Sequence, residues 1–180
     1  MYCTGNQNDA IYEFDLSTAW DISTASHLQT LSVTAKEAVP NDVFFKSDGL
    51  TMYIIGSSSD RVHQYTLSTA WDISTASFLQ SFVTSTTGPA GLWFKPDGTY
   101  LYFIDSSSDK VLGYSLTTAW DISTAVFVPP TTNYFSVRTQ EATPQALFIK
   151  PDGTKMYVVG TTTDTVYEYK IGRASCRERV

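Results

Sequence analysis

LSTAWDISTAS occupies residues 16–26 and recurs unchanged at 67–77, and LTTAWDISTAV follows at 116–126. The tryptophans of the three copies, Trp20, Trp71 and Trp120, stand 51 and 49 residues apart. A fixed period near 50 residues replaces the question of one fold with that of one repeated unit.

Outward from this connector, each copy reads as four strands. Upstream lies DVFFKSDG (42–49), matched by GLWFKPDG (91–98) and ALFIKPDG (146–153). Pro at the second turn position presets φ, and Gly49, Gly98 and Gly153 supply the left-handed residue that closes a tight hairpin. TMYIIGSSS, TYLYFIDSSS and TKMYVVGTTT come next, with apolar residues in succession and no alternation. A strand of that kind is buried on both faces, as in a sheet sandwiched between two neighbours. The following turns end at Asp9, Asp60, Asp109 and Asp164. The third strand alternates: IYEFDL and VHQYTL put Tyr12, Phe14 and Leu16, or His63, Tyr65 and Leu67, on one face. Glu13 and Asp15, or Gln64 and Thr66, fall on the other, which predicts a strand with one polar face. The connector then leads to a fourth strand, HLQTLSV, FLQSFV or NYFSV. In the third copy, extra residues at 128–133 stretch the loop, so Gly98 and Gly153 are 55 apart where Gly49 and Gly98 are 49.

Four antiparallel strands with turn signals on schedule predict an all-β fold, a partial β-propeller of about three to four four-stranded blades in an open arc. The blades fall at 1–33 (partial), 39–83, 88–137 and 143–170 (partial). KPDGTKMYVVGTTTDTVYEYKI (150–171) resembles the repeats of bacterial propellers of the YVTN and lactonase-like groups. The LSTAWDISTAS connector resembles tandem repeats of bacterial and phage proteins. The resemblance covers residues 1–170. The paired glycines of kelch repeats are missing, and so is the Gly-His that precedes the Trp-Asp of WD repeats.

Met1-Tyr2 aligns with Met52-Tyr53 and Met156-Tyr157 in mid-repeat, so the chain reads as an internal piece of a longer protein from environmental or shotgun sequence. Its end, 171–180, has no counterpart in any repeat and reads as translated sequencing adapter, expected to be disordered. With 18 acidic and 12 basic residues the net charge is −6, which argues against nucleic acid or an anionic membrane as partner. No apolar run nears the ~18 residues that span a bilayer. Cys3 and Cys176 have neither a disulfide framework nor metal-ligand spacing.

A residue present in every unit usually serves packing, so Trp20, Trp71 and Trp120 are expected to plug the seams; the alternative is an aromatic platform for sugar rings. Asp21, Asp72 and Asp121 are expected to cap the local turn. One rim collects Asp9, Asp60, Asp109 and Asp164 with Glu37, Asp42 and Glu141. Such a rim caps turns or holds calcium or a basic partner, although no calcium-binding loop motif is present. Off-pattern residues are better clues, since a functional site must break the repeat. Asp105 stands where Gly5, Gly56 and Gly160 stand elsewhere, a carboxylate that no turn requires. His63 replaces Tyr or Leu on an apolar face, and Arg138 lies near Glu141. Asp105, Asp109, Asp60 and Glu141 are the ligand-binding candidates. No catalytic or metal-binding motif appears.

These readings point to a non-enzymatic repeat module, a scaffold or a binder of a protein or carbohydrate, within a larger bacterial or phage surface protein whose other blades complete the ring. An extracellular, cell-surface or virion location goes with it. The alternative is part of a lactonase-like hydrolase whose channel holds a metal. Near-identical copies favour the first, because catalysis needs asymmetry.

Overall fold

A computed structural model describes residues 1–5, 7–127 and 134–171; the insertion at 128–133 and the tail from 172 onward, with Cys176, lie outside the described residues. The strands form four antiparallel sheets. The first holds β1 (Tyr2–Gly5), β2 (Ala10–Leu16) and β3 (Ala25–Ser32); the second, β4 (Pro40–Phe45), β5 (Thr51–Gly56), β6 (Arg61–Leu67) and β7 (Ala76–Val83). The third holds β8 (Pro89–Phe94), β9 (Tyr100–Asp105) and β10 (Lys110–Leu116), and its fourth position is shared by β11 (Ala125–Phe127) and β12 (Tyr134–Ser136), both paired to β10. The fourth holds β13 (Pro144–Ile149), β14 (Lys155–Gly160) and β15 (Val166–Lys170). Strands pair in sequence order, so each sheet is a meander, and the sheets form an open arc. No helix among the described residues is long and apolar enough to cross a membrane.

Three apolar seams hold the sheets together. Ile11 meets Met52, Ile54, Tyr65 and Ile73 across the first seam; Tyr53, Ile55 and Val62 meet Phe94, Leu101 and Phe103 across the second. Ile104 and Val111 meet Leu147, Met156 and Val158 across the third. In β5, Met52, Tyr53, Ile54 and Ile55 are fully buried because adjacent residues point into opposite seams. Each contributes about 1.5–3 kcal/mol by burial. β14 is buried only toward the third sheet, and β15 beside it leaves Val166 65% exposed. Near the inner edge the sheets converge. Asn41 Nδ2 donates to the Pro89 carbonyl at 2.9 Å, and Leu92 N–H to Asp42 Oδ2 at 2.7 Å. At Gly91 (φ +41°) a Cβ would press on the Ala146 backbone, so a side chain there would push β8 and β13 apart.

One expectation is overturned. Asp15 and Thr66 face water, but Glu13 and Gln64, assigned to the same polar face, are 9% and 6% exposed. Each turns into a seam, where the next sheet's connector offers backbone groups that need partners.

Candidate functional site

Each Trp-Asp connector forms a single 3₁₀ turn, at Ile22–Thr24, Ile73–Thr75 and Ile122–Thr124. Asp21, Asp72 and Asp121 cap it, accepting the N–H of Ser23, Ser74 and Ser123 at 3.0 Å. These bonds hold all three carboxyls below the usual aspartate range, the serine hydroxyl contributing most. The preceding Trp adopts a left-handed φ of 67–69°, which lays its ring over the hairpin of its own sheet. Trp71 covers Gly49 and Trp120 covers Gly98, where any Cβ would overlap the indole. Trp71 packs on Phe45 at 5.5 Å; Trp120 packs on Phe94 at 5.4 Å and reaches Phe44 of the previous sheet at 6.4 Å. Among the described residues Trp120 reaches the neighbouring sheet as a seam plug would, whereas Trp71 lies on its own sheet and is 43% exposed, and Trp20 is 98% exposed.

The buried third-strand residues latch neighbouring connectors. Glu13 Oε2 accepts Gln29 Nε2 at 2.6 Å and the Ile73 N–H at 3.2 Å. Gln64 Oε1 accepts Gln80 Nε2 at 2.8 Å and the Ile122 N–H at 3.4 Å, while Gln64 Nε2 donates to the Trp120 carbonyl at 3.1 Å. Gln29 and Gln80 also donate to Asp72 and Asp121 of the following connector, each at 2.7 Å. Repetition of the LQ pair, and of Glu against Gln at 13 and 64, is the signal that could have revealed this device.

Two of the rim carboxylates, Glu37 and Glu141, are committed to turn backbone. Glu37 is 1% exposed; its oxygens accept the N–H groups of Val39, Ser58 and Ser59 at 2.9, 3.0 and 3.3 Å and the hydroxyls of both serines. Burial raises its pKa, but bonding from His63, Ser58, Ser59 and Val39 outweighs this and brings it to about 2. Glu141, with no exposed surface, does the same for Thr143, Thr162 and Thr163, at N–H distances of 2.9, 3.1 and 3.3 Å. Its burial is likewise outweighed by these bonds, and its pKa falls to about 2.

Asp105 explains itself beside these two. At Gly56 and Gly160 a Cβ would overlap the carboxyl of Glu37 or Glu141. The loop into the third sheet, TSTTGP (84–89), has no glutamate, and Asp105 accepts the Ser107 N–H at 3.1 Å and the hydroxyls of Ser107 and Ser108. The view that no turn requires Asp105 is therefore corrected: the capping carboxylate has moved from loop to strand end.

Asp60 and Asp109, like Asp9 and Asp164, take left-handed φ values of 50–58° and close the turns. The Asp60 carbonyl accepts the Thr84 N–H at 3.1 Å and the Asp109 carbonyl that of Val137 at 2.9 Å. Asp109 also pairs with Arg138, Nε to Oδ2 at 3.6 Å, so Arg138 answers Asp109 rather than Glu141. The fold does not bring the four candidates together: Asp105 and Asp109 share a turn, while Asp60 and Glu141 serve other sheets. Among the described residues no three His, Cys, Asp or Glu side chains are arranged to hold a metal ion.

One buried cluster holds groups used in nucleophilic catalysis. His63, 2% exposed, has Nε2 2.9 Å from Ser59 Oγ and 3.8 Å from Glu37 Oε2. A relay needs the acid on one ring nitrogen and the hydroxyl on the other. Here both meet Nε2, Ser59 Oγ donates to Glu37 at 2.6 Å, and His63 Nδ1 has no hydrogen-bond partner.

The repeat breaks most openly between the third and fourth sheets. A cleft of about 520 Å³ lies there, lined by Trp93, Tyr102, Tyr134 and Phe135, with Lys95 and Asp152 among its polar groups. Trp93 stands where the other sheets have Phe44 and Phe148, and Gly113 where they have Glu13, Gln64 and Glu168. Gly153, unlike Gly49 and Gly98, has no atom of the described residues within 4 Å of where a Cβ would be.

Known structures share this arrangement. A candidate 6-phosphogluconolactonase from Bacteroides uniformis superposes with a TM-score of 0.63 at 19% identity, over 94% of this chain and 46% of that one. A periplasmic gluconolactonase from Pseudomonas aeruginosa gives 0.56 at 15%, over 94% and 48%. Sqt1 from Chaetomium thermophilum gives 0.52 at 16%, over 96% and 42%. These likenesses establish the fold, and the chain spans about half the length of the structures it resembles. No curated protein sequence matches it. The family model described as lactonase, seven-bladed β-propeller, matches residues 42–177, three quarters of the chain. With four stacked meanders in an open arc, the chain belongs to the seven-bladed β-propeller lactonase family.

Proposed function

We propose that this chain is a non-catalytic binding and scaffold module of a propeller, taking the apolar face of a carbohydrate in the cleft between its third and fourth sheets. The commitment of Glu37, Asp42, Asp105 and Glu141 to backbone and hydroxyl donors carries the reading. A general acid or base must be able to reach a substrate proton, whereas Glu37, Asp105 and Glu141 are turned into turns and Asp42 onto the backbone of the neighbouring sheet. The cleft instead offers aromatic faces for C–H groups and polar groups for hydroxyls. Relatives in fold are named for gluconolactones, which makes sugar acids and sugars the first ligands to try.

Family membership supports a second reading, a lactone hydrolase in the complete ring. One pair of measurements separates them. Gluconolactone hydrolysis followed by pH-stat should equal the uncatalysed rate, and calorimetry with gluconate and neutral oligosaccharides should give heat that Trp93→Ala removes. Turnover proportional to protein and lost in His63→Ala would overturn the module reading.

A further inference from the structure

The first and second seams close differently at the rim. In the first, the loop from β3 to β4 carries Lys36 and Glu37. Lys36 Nζ lies 4.1 Å over the Phe78 ring, and Phe78 meets Tyr65 edge-on at 5.7 Å. The chain's own ammonium therefore sits on an aromatic face, with a carboxylate at the next residue.

The second seam repeats the rings without the lysine. Phe127 and Tyr114 stand where Phe78 and Tyr65 stand, edge-on at 5.3 Å. The loop beside them is shorter. Val33 and Thr84 mark equivalent places, their N–H groups bonding the Asp9 and Asp60 carbonyls. Val33 is seven residues from Pro40, whereas Thr84 is five from Pro89, and TSTTG (84–88) holds neither Lys nor Glu. Here a cleft of about 510 Å³ lies between the second and third sheets, walled by Phe82, Tyr114, Phe127, Asp105 and Lys110. β10 divides it from the carbohydrate cleft: Leu112 and Tyr114 line the one, Val111 and Gly113 the other.

We propose that this second cleft binds the alkylammonium group of a small amine over the Phe127 ring, in the place that Lys36 takes over Phe78. The proposal is independent of the carbohydrate reading. The ring pair is the same in both seams. Asp105 brings a carboxylate to the cleft wall, as Glu37 does beside Lys36, while it stays bonded to Ser107 and Ser108, and no proton transfer is asked of it. Lys110 does not bar a second cation. Arg61 holds the same position in the first seam together with Lys36, donating to Ser81 Oγ at 3.2 Å, and Lys110 Nζ is turned over the Tyr134 ring at 4.4 Å. The chain's net charge of −6 draws cations, and the volume suits a small molecule.

Titration with butylamine, a cation at neutral pH, followed by NMR at the backbone amides of Ser85 and Ser108, tests this. Both amides should shift to saturation while the Trp93 indole N–H, in the other cleft, stays still. Butanol, the neutral analogue, should bind roughly tenfold more weakly, and Phe127→Leu should weaken butylamine roughly three- to tenfold, the size of a cation–π contact at a part-exposed ring. Lys110→Gln, which removes a like charge, should tighten it. Phe127 is 41% exposed, so unchanged circular dichroism should confirm that its variant folds. No saturable shift at Ser85 and Ser108, equal affinity for butanol, or indifference to Phe127→Leu overturns the proposal. So does weaker binding in Lys110→Gln, which would mean that the cleft takes an anion.

Discussion

Gln64 puts the seam chemistry to a quantitative test. Its carboxamide is 6% exposed and makes three hydrogen bonds, two of them to the connector of the next sheet. Gln64→Leu keeps the volume and removes them all. The Trp120 carbonyl keeps Tyr53 and Gln80 keeps Asp121, but the N–H of fully buried Ile122 loses its acceptor. An orphaned buried donor costs about 1–3 kcal/mol, and the other lost bonds add about 0.5–1 each. The expected destabilisation is about 2–5 kcal/mol, or roughly 4–20 °C in Tm for a chain this long. Gln64→Glu keeps the acceptor, as Glu13 does in the first seam, and should cost under ~1 kcal/mol at neutral pH. Urea unfolding followed by tryptophan fluorescence, with the slope checked for constancy, reads both values. Amide exchange at Ile122 should quicken in the leucine variant alone. Equal costs for leucine and glutamate, or a neutral leucine, would refute the idea that an acceptor for the connector holds this seam.

Glu37, with its pKa depressed to about 2 from 4.5, adds stability that is fully present above pH 4.5 and is lost as pH falls toward 2. Glu37→Gln should therefore be less stable than the parent at neutral pH, with the difference shrinking over that window; acid titration of the urea midpoint checks it. Gly98→Ala meets a left-handed φ of 72° and the Trp120 ring together, whereas Gly153→Ala at φ 70° meets no atom of the described residues. The first should cost over ~2 kcal/mol and the second about 1. Equal melting shifts would mean that Trp120 does not press on its glycine.

Much of the site was hidden for one physical reason. Polar residues on an alternating strand look solvent-facing, because alternation records which face a residue is on and not what lies opposite. Glu13 and Gln64 read as surface, yet a neighbouring connector supplies N–H groups that make their burial favourable. Asp105 misled in the opposite direction. It breaks the repeat as a functional residue would, but it compensates for the glutamate missing from its loop, a link visible only once Glu37 and Glu141 are seen capping the same turns.

The amino-acid order alone determined the repeat, the four strand types, the hairpin glycines, the capping aspartates and the stacking of second strands. All of these are local or periodic, set by φ preference and by the spacing of apolar residues. Tertiary structure alone decided which carboxylates are free, that Trp20 stands bare while Trp71 and Trp120 lie against their hairpin glycines, and where a cleft opens. Those outcomes depend on what the neighbouring sheet brings to the same place, and a single strand's pattern carries no record of its neighbour.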